Sequence, residues 1–557
     1  LTPALLLLLT TWQASSPSLP HAAAERPAIE RAAVEPSAGG PVVALPADGE
    51  LESAGAVIGE VRIVVGDVFD PSDPRERLPG AGLANRLHPA TRRKVIAEQL
   101  LFRSGDRFDP RLLAESERLL RGNRNLRDVQ VRPIAFDGQR VTVEVSARDV
   151  WTLNLGFSFG HAGGASSSSF ELEDTNVLGS GKLVRLERAQ DVDRTTTRFA
   201  LADPALLGSR FRLDLGYSDA SDGGGWQAKV ERPFYALDAR WSLALAAAAE
   251  RRIDSLYRLG HVAGRFGHDA ARFELRGGLS PGLVDGRVTR WTGGFTYQRD
   301  RFTSVPGSLV TLPPDRTLAY PWVAWDWQRD AYEETRNVDQ IGRVEDLQLG
   351  PRLHGRLGIA SPLFGADRSA LLFDATAGST LARRGGGLLR LETSASGRLE
   401  ERGLAHTLLH GAAQAYWRDF GEQELYVSLS GDLARALDPE QQLTLGGDDG
   451  LRGYPLRYQA GDARLLLTAE QRFFTDWYPL RLARVGAAAF YDLGRVWGSD
   501  RAGGTASGWL QDLGVGLRLA PTRTGRAGVI HLDLAFPLGG TTDLQRAQWS
   551  VRSRSTF

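Results

Sequence analysis

The residues best placed for specific chemistry surround Arg452. It sits in Leu451-Arg452-Gly453-Tyr454, within a glycine-rich stretch, 446–461, that is flexible enough to fold back on its flanks. The segments that follow alternate strictly and carry carboxylates. Glu470 shares a face with Thr468 and Arg472, and Asp492 shares one with Gly486, Ala488 and Phe490. A guanidinium held against one or two carboxylates away from bulk water makes a bidentate, charge-assisted clamp. Gly453 lets the backbone approach a wall closely. Tyr454 can pack inside with its hydroxyl satisfied. This chemistry positions a loop and makes or breaks no bond.

Other patterns that suggest catalysis lack their context. Gly156-Phe157-Ser158-Phe159-Gly160 has the spacing of an esterase nucleophile elbow, which needs a strand, a sharp turn and a helix. Here Trp151, Leu153, Leu155, Phe157 and Phe159 continue one alternating strand. Gly179-Ser180-Gly181-Lys182 lacks the first glycine and the final hydroxyl residue of a phosphate-binding loop. Asp448 and Asp449 read as a solvated turn. The 9 histidines show no paired ligand spacing, and with no cysteine there is no thiolate nucleophile or thiolate metal site. No enzyme activity, cofactor or metal is expected.

The elements that must position Arg452 are strands. From 149 to 557 the chain repeats alternating segments of about ten residues. In 209–218, Phe211, Leu213, Leu215 and Tyr217 oppose Arg210, Arg212 and Asp214; in 529–536, Ile530, Leu532, Leu534 and Phe536 oppose His531 and Asp533. A soluble sandwich also alternates, but rarely past about 250 residues as one domain. Continuous alternation on this scale predicts a closed antiparallel barrel with lipid outside and water inside. The pattern count is about twenty strands, and an even number would leave both ends on one side. Some segments between 250 and 345 read as halves of longer strands. No apolar run approaches the ~20 residues of a membrane helix. The 67 basic and 67 acidic residues cancel, which gives no reason to expect nucleic acid.

Ahead of the barrel, 55–148 reads as a small α+β domain of order β-α-α-β-β. Asp109-Pro110 caps its second helix, and Asp137-Gly138 turns its last hairpin. Residues 25–54, rich in Ala, Pro and Gly, read as a flexible linker. The leucine run at 5–9 and Ala22-Ala23-Ala24 read as an export signal over 1–24. Its basic opening is missing, as expected of a truncated start.

Four motifs give the barrel a family resemblance. Leu451-Arg452-Gly453-Tyr454 resembles the [VIL]-R-G-[FY] motif on the sixth extracellular loop of the BamA/TamA superfamily, the outer-membrane assembly and translocation barrels also called bacterial surface antigens. Phe490-Tyr491-Asp492-Leu493-Gly494 resembles that family's F-x-D-x-G strand. Glu470 stands where the family places a lumen-facing glutamate, and 174–181 resembles its D-x-N-x-L-G-x-G turn. The preceding module is similar to a POTRA domain. BamA-like proteins usually carry several of these and TamA-like ones three; this chain has room for one.

The resemblance implies a Gram-negative outer-membrane barrel of sixteen strands with the POTRA-like domain in the periplasm. It implies a seam between the strand from Trp151 and Leu153 and a last strand carrying Trp549 and Val551. Phe557 would belong to a C-terminal assembly signal. The implied partners are the lipid bilayer, unfolded outer-membrane or secreted clients, and periplasmic or lipoprotein subunits. The implied function is insertion or translocation through a laterally gated barrel. A two-partner-type secretion pore or a passive transport barrel are the alternatives.

Overall fold

The structure is a computed structural model. It describes residues 45–557 apart from 77–78, 163–164, 340, 342–343, 384–386, 419–422, 499–507, 524–527, 540–543 and 555–557. The segment read as an export signal and Phe557 lie outside the described residues.

The small domain contains α1 (Asp48–Ser53), β1 (Val57–Gly66), α2 (Ala81–Leu87), α3 (Arg93–Ala97), α4 (Pro110–Arg121), β2 (Leu126–Phe136) and β3 (Arg140–Asp149). The Asp109 carboxylate caps α4 by accepting from the Arg111 amide at 2.8 Å, with Pro110 in the first turn. Leu113 and Leu120 of α4 and Ile96 of α3 pack onto Val141, Val143 and Val145 of the central strand. The sheet order is β1-β3-β2, with β1 parallel and β2 antiparallel to β3. Two helices were not foreseen. α1 lies in the segment read as linker, where Leu51 is its one buried residue and joins the core. α2 buries none of its residues. A helix with at most one buried position leaves no period in the sequence.

From Leu153 onward the chain forms a closed barrel. Among the described residues it has twenty strands of seven or more residues and a two-residue piece, Leu283–Val284. The pattern count therefore holds, and the sixteen strands implied by resemblance do not. The short strands Leu183–Gln190, Thr195–Asp203, Arg212–Ala220 and Gly223–Arg232 each span the wall alone. Each presents its own outward apolar residue, Leu186, Phe199, Leu215 and Trp226 in turn. Between 241 and 304 the strands are long, with 18, 19 and 18 residues in Trp241–Arg258, His261–Leu279 and Arg287–Ser304.

The outer face is apolar in continuous rows. One runs Ala489, Val515, Leu534, Trp549 across four strands. Asp492, Asp512, Arg518 and Asp533 of the same strands face inward and are buried. That division is the one a membrane-spanning barrel requires. No helix among the described residues is long and apolar enough to cross a membrane.

The small domain sits against one end of the barrel, here called the near end. Asp149 accepts from the Thr91 amide at 2.8 Å. The Thr91 hydroxyl in turn accepts from Asn176 of the first near-end turn, also at 2.8 Å. Arg210 of the next turn donates to the Leu100 carbonyl at 2.7 Å. Glu115 of α4 accepts from the Leu237 amide at 2.9 Å.

Burial pushes the Glu115 carboxyl up to about 7, although the Leu237 amide, Arg111 and Arg118 pull the other way. A carboxyl whose pKa rises on docking favours the docked state below its free value, near 4.5, and loses that contribution as pH climbs towards 7. Hydrogen exchange of α4 should therefore be faster at about pH 8 than at about pH 5 once corrected for intrinsic rates. Glu115→Gln should flatten that difference, and an unchanged pH dependence in this variant would show that another group is responsible.

Candidate functional site

The connection between strands Gln423–Arg435 and Ala463–Phe474, residues 436–462, enters the lumen from the far end. Within it, Leu443–Leu445 pairs with Gln459–Gly461. Leu445, Leu451, Tyr454 and Tyr458 pack inside the barrel against Val496 and Leu510.

Strand register prepares the seat for Arg452. Thr468, Asp492 and Asp512 lie in one inward row; Glu470, Phe490 and Gly514 lie in the next. Because Gly514 has no side chain, the Phe490 ring lies over its backbone. The Arg452 guanidinium stacks on that ring, 3.4 Å from its centre. Its Nε and one terminal nitrogen fork onto the two Asp492 oxygens at 2.7 and 2.9 Å. The other terminal nitrogen donates to Glu470 at 2.7 Å. Thr468 donates to Asp492 at 2.8 Å, so this carboxylate is held from two sides. Arg452, Glu470, Phe490 and Asp492 are buried, and Thr468 is partly so.

The neighbours in the motif each have a steric or polar role. The Gly453 amide donates to Asp512 at 3.0 Å; a Cβ there would lie 2.8 Å from the Asp512 Cβ and 3.1 Å from the Pro537 nitrogen. The Tyr454 hydroxyl donates to the carbonyls of Gln511 and Gly539 at 3.1 and 3.0 Å. Gly494 leaves the space that Leu445 and Leu451 fill.

Several partners had not been singled out. Arg472 donates to Glu470 at 3.2 Å and to Glu424 at 3.3 Å. Arg518 donates to Asp533 at 2.6 Å. These were visible as the polar sides of alternating strands, but alternation does not say which charges meet. At the start of the loop, Arg398 forks onto Asp438 at 2.9 and 2.7 Å, and Arg316 donates to Glu440 at 2.7 Å. Asp438 and Glu440 carry no periodic signal at all. Arg457 reaches the far-end turn at Asp193, at 2.9 Å. The loop is thus tied to several regions of the wall inside the far end.

The first strand, Leu153–Ala162, lies beside the last, Gln548–Arg554. Phe159 stacks on Trp549 with ring centres 5.7 Å apart. With an even strand number this pair is antiparallel, so Val551 falls near Phe157. Leu153, at the near end, does not face Val551. Below the seam the chain crosses past the last strand: the Trp151 amide donates to the Arg523 carbonyl at 2.9 Å. Arg523 in turn donates to Glu76 of the small domain at 2.7 Å. Burial raises the Glu76 carboxyl, but hydrogen bonds from Arg523 and Arg148 outweigh it and hold it at about 2. The charge on Glu76 therefore persists in mild acid.

The Gly156-to-Gly160 motif lies inside the first strand, and Asp448 and Asp449 accept hydrogen bonds within the loop from the Arg457 amide and Thr444. No protein-family model and no curated protein matches the chain. Among solved structures, the chain is similar to BamA from Haemophilus ducreyi lacking POTRA domains 1–3. That match has 11% identity and a TM-score of 0.39, and covers 88% of this chain and 84% of that one. It is also similar to CdiB from Acinetobacter baumannii, with 10% identity and a TM-score of 0.44 over 89% and 74% of the two chains. CdiB from Escherichia coli has 13% identity and a TM-score of 0.42, over 89% and 76%.

Proposed function

We propose that this chain is an outer-membrane barrel that inserts or translocates unfolded polypeptides, with its small domain a POTRA-like module in the periplasm. In this reading the near end is periplasmic and the far end extracellular. The observation that carries it is the contrast between lumen and wall. The lumen is occupied by a loop with buried ionic anchors, whereas the wall contains a seam that ends in a seven-residue strand. A client passing through the lumen must displace the Arg452 clamp and the Asp438 and Glu440 anchors. A client leaving sideways has only to separate a single pair of strands. Insertion through the wall is therefore favoured over secretion through the lumen. The reaction involves no covalent step; the work is the binding of an extended client and the local opening of a sheet.

The test is reconstitution. Liposomes containing the purified chain should fold an added, urea-unfolded outer-membrane barrel faster than empty liposomes do, with the product in the bilayer. Delivery of a secreted protein into the vesicle interior, with no effect on barrel folding, would replace this reading with a secretion pore.

A further inference from the structure

Most near-end connections are short turns, but the one between strands Arg316–Arg329 and Gly350–Ala360 is a hairpin. In it Tyr332–Arg336 pairs with Val344–Gln348. Beyond Arg336 the chain turns into the barrel. Val338 is 3% exposed and packs with Leu388 and Tyr416. Ile341 is 5% exposed and packs with Phe474, Ala520 and Val529, on strands further round the wall. The hairpin therefore lies across the near-end mouth.

Two sets of polar contacts hold it, one at each end. At the inner end Arg390 forks onto Asp339 at 2.9 and 2.8 Å. At the outer end Arg121 of α4 donates to Glu334 at 2.8 Å and to Asp346 at 3.1 Å. The Arg118 guanidinium lies 5.5 Å from the centre of the Tyr332 ring. Between the hairpin and the Arg452 clamp is a polar cavity of about 230 Å³, lined by Asp339, Arg390, Tyr416, Arg452, Glu470 and Arg472.

We infer that the paired strands Tyr332–Arg336 and Val344–Gln348, with Val338, Asp339 and Ile341 at their inner end, are a removable plug, latched in the lumen by Arg390 and Asp339 and drawn out by the small domain through Arg121. The outer pairs are partly exposed and bind weakly, so they act as a handle more than as a lock. The inner latch is one forked ion pair, a hydrogen bond from Arg472 to the Val338 carbonyl at 3.5 Å, another from Arg418 to the Arg336 carbonyl, and a few apolar contacts, on the scale of local opening. With the plug out, the cavity opens to the near end while the loop 436–462 stays tied to the wall inside the far end. The small domain would thereby control entry to this chamber from the near end.

The chain has no cysteine, so Val338→Cys supplies a single thiol. The purified full chain in detergent is treated with a bulky polar maleimide, and heat-modifiable mobility confirms a folded barrel in each variant. The thiol should react slowly in the parent background. Adding Arg390→Ala should speed labelling by about tenfold or more, and adding Arg121→Ala to that variant should slow it again, because the handle is gone. Fast labelling in the parent would show that no plug is seated. A rate unmoved by Arg390→Ala would remove the latch, and one unmoved by Arg121→Ala would remove the link to the small domain. No client is present, so failure here is separate from failure of the insertion reading.

Discussion

Arg452→Ala should abolish activity while leaving a folded, inserted barrel. The guanidinium closes a loop onto a wall whose strands are paired without it. Removing it leaves Asp492 and Glu470 buried with less compensating charge, a cost of ~3 to 5 kcal/mol at such a site. That cost is relieved when the loop lifts and water enters, so the loop moves and the sheet stays. Arg452→Lys should rescue only partially, because an ammonium cannot fork onto Asp492 and still reach Glu470. Asp492→Ala should match Arg452→Ala. Glu470→Gln should be milder, since Glu470 is also held by Arg472. The double variant Arg452→Ala/Asp492→Ala should be no worse than either single. Heat-modifiable mobility reports the barrel, and protease cleavage within 446–461 reports the loop. Fully additive defects, or a barrel that fails to assemble, would remove the clamp from the mechanism.

The second large effect concerns the seam. Phe159→Cys with Trp549→Cys replaces the two rings that stack across the seam by two thiols on neighbouring antiparallel strands. No other cysteine competes. If lateral opening drives function, the oxidised protein should be inactive and should recover on reduction. Full activity with the seam quantitatively crosslinked would rule out lateral gating and leave passage through the lumen.

Much of this site could be read from the chain. Asp492 and Glu470 stand at inward positions of alternating strands, and Gly453 and Gly494 mark close approaches. What could not be read depends on register or on isolated contacts. The face of a strand is written in its own sequence, but its partner's offset is not. Leu153 and Val551 both lie on outward faces, yet the Phe159–Trp549 stack sets them apart. Asp438 and Glu440 matter because Arg316 and Arg398 happen to lie opposite. The hairpin Tyr332–Gln348 alternates like a piece of wall, and its segment reads as half of a longer strand. Only the pairing of Tyr332 with Gln348, outside the barrel order, distinguishes it.

The crossing of Trp151 beneath the last strand gives the seam a direction. Its near end is stapled by the Trp151 amide on Arg523 and by Arg523 on Glu76, whereas the Phe159–Trp549 stack further up the wall is apolar. Strands held at one end separate like a zip, from the free end towards the staple. Opening would begin at the far end and widen towards the small domain. An incoming strand would meet a wedge that is broad at the far end and still shut beside the small domain. The width of the gap, and so the length of strand it can template, would be set by how firmly one buried glutamate in the small domain holds one arginine in the barrel.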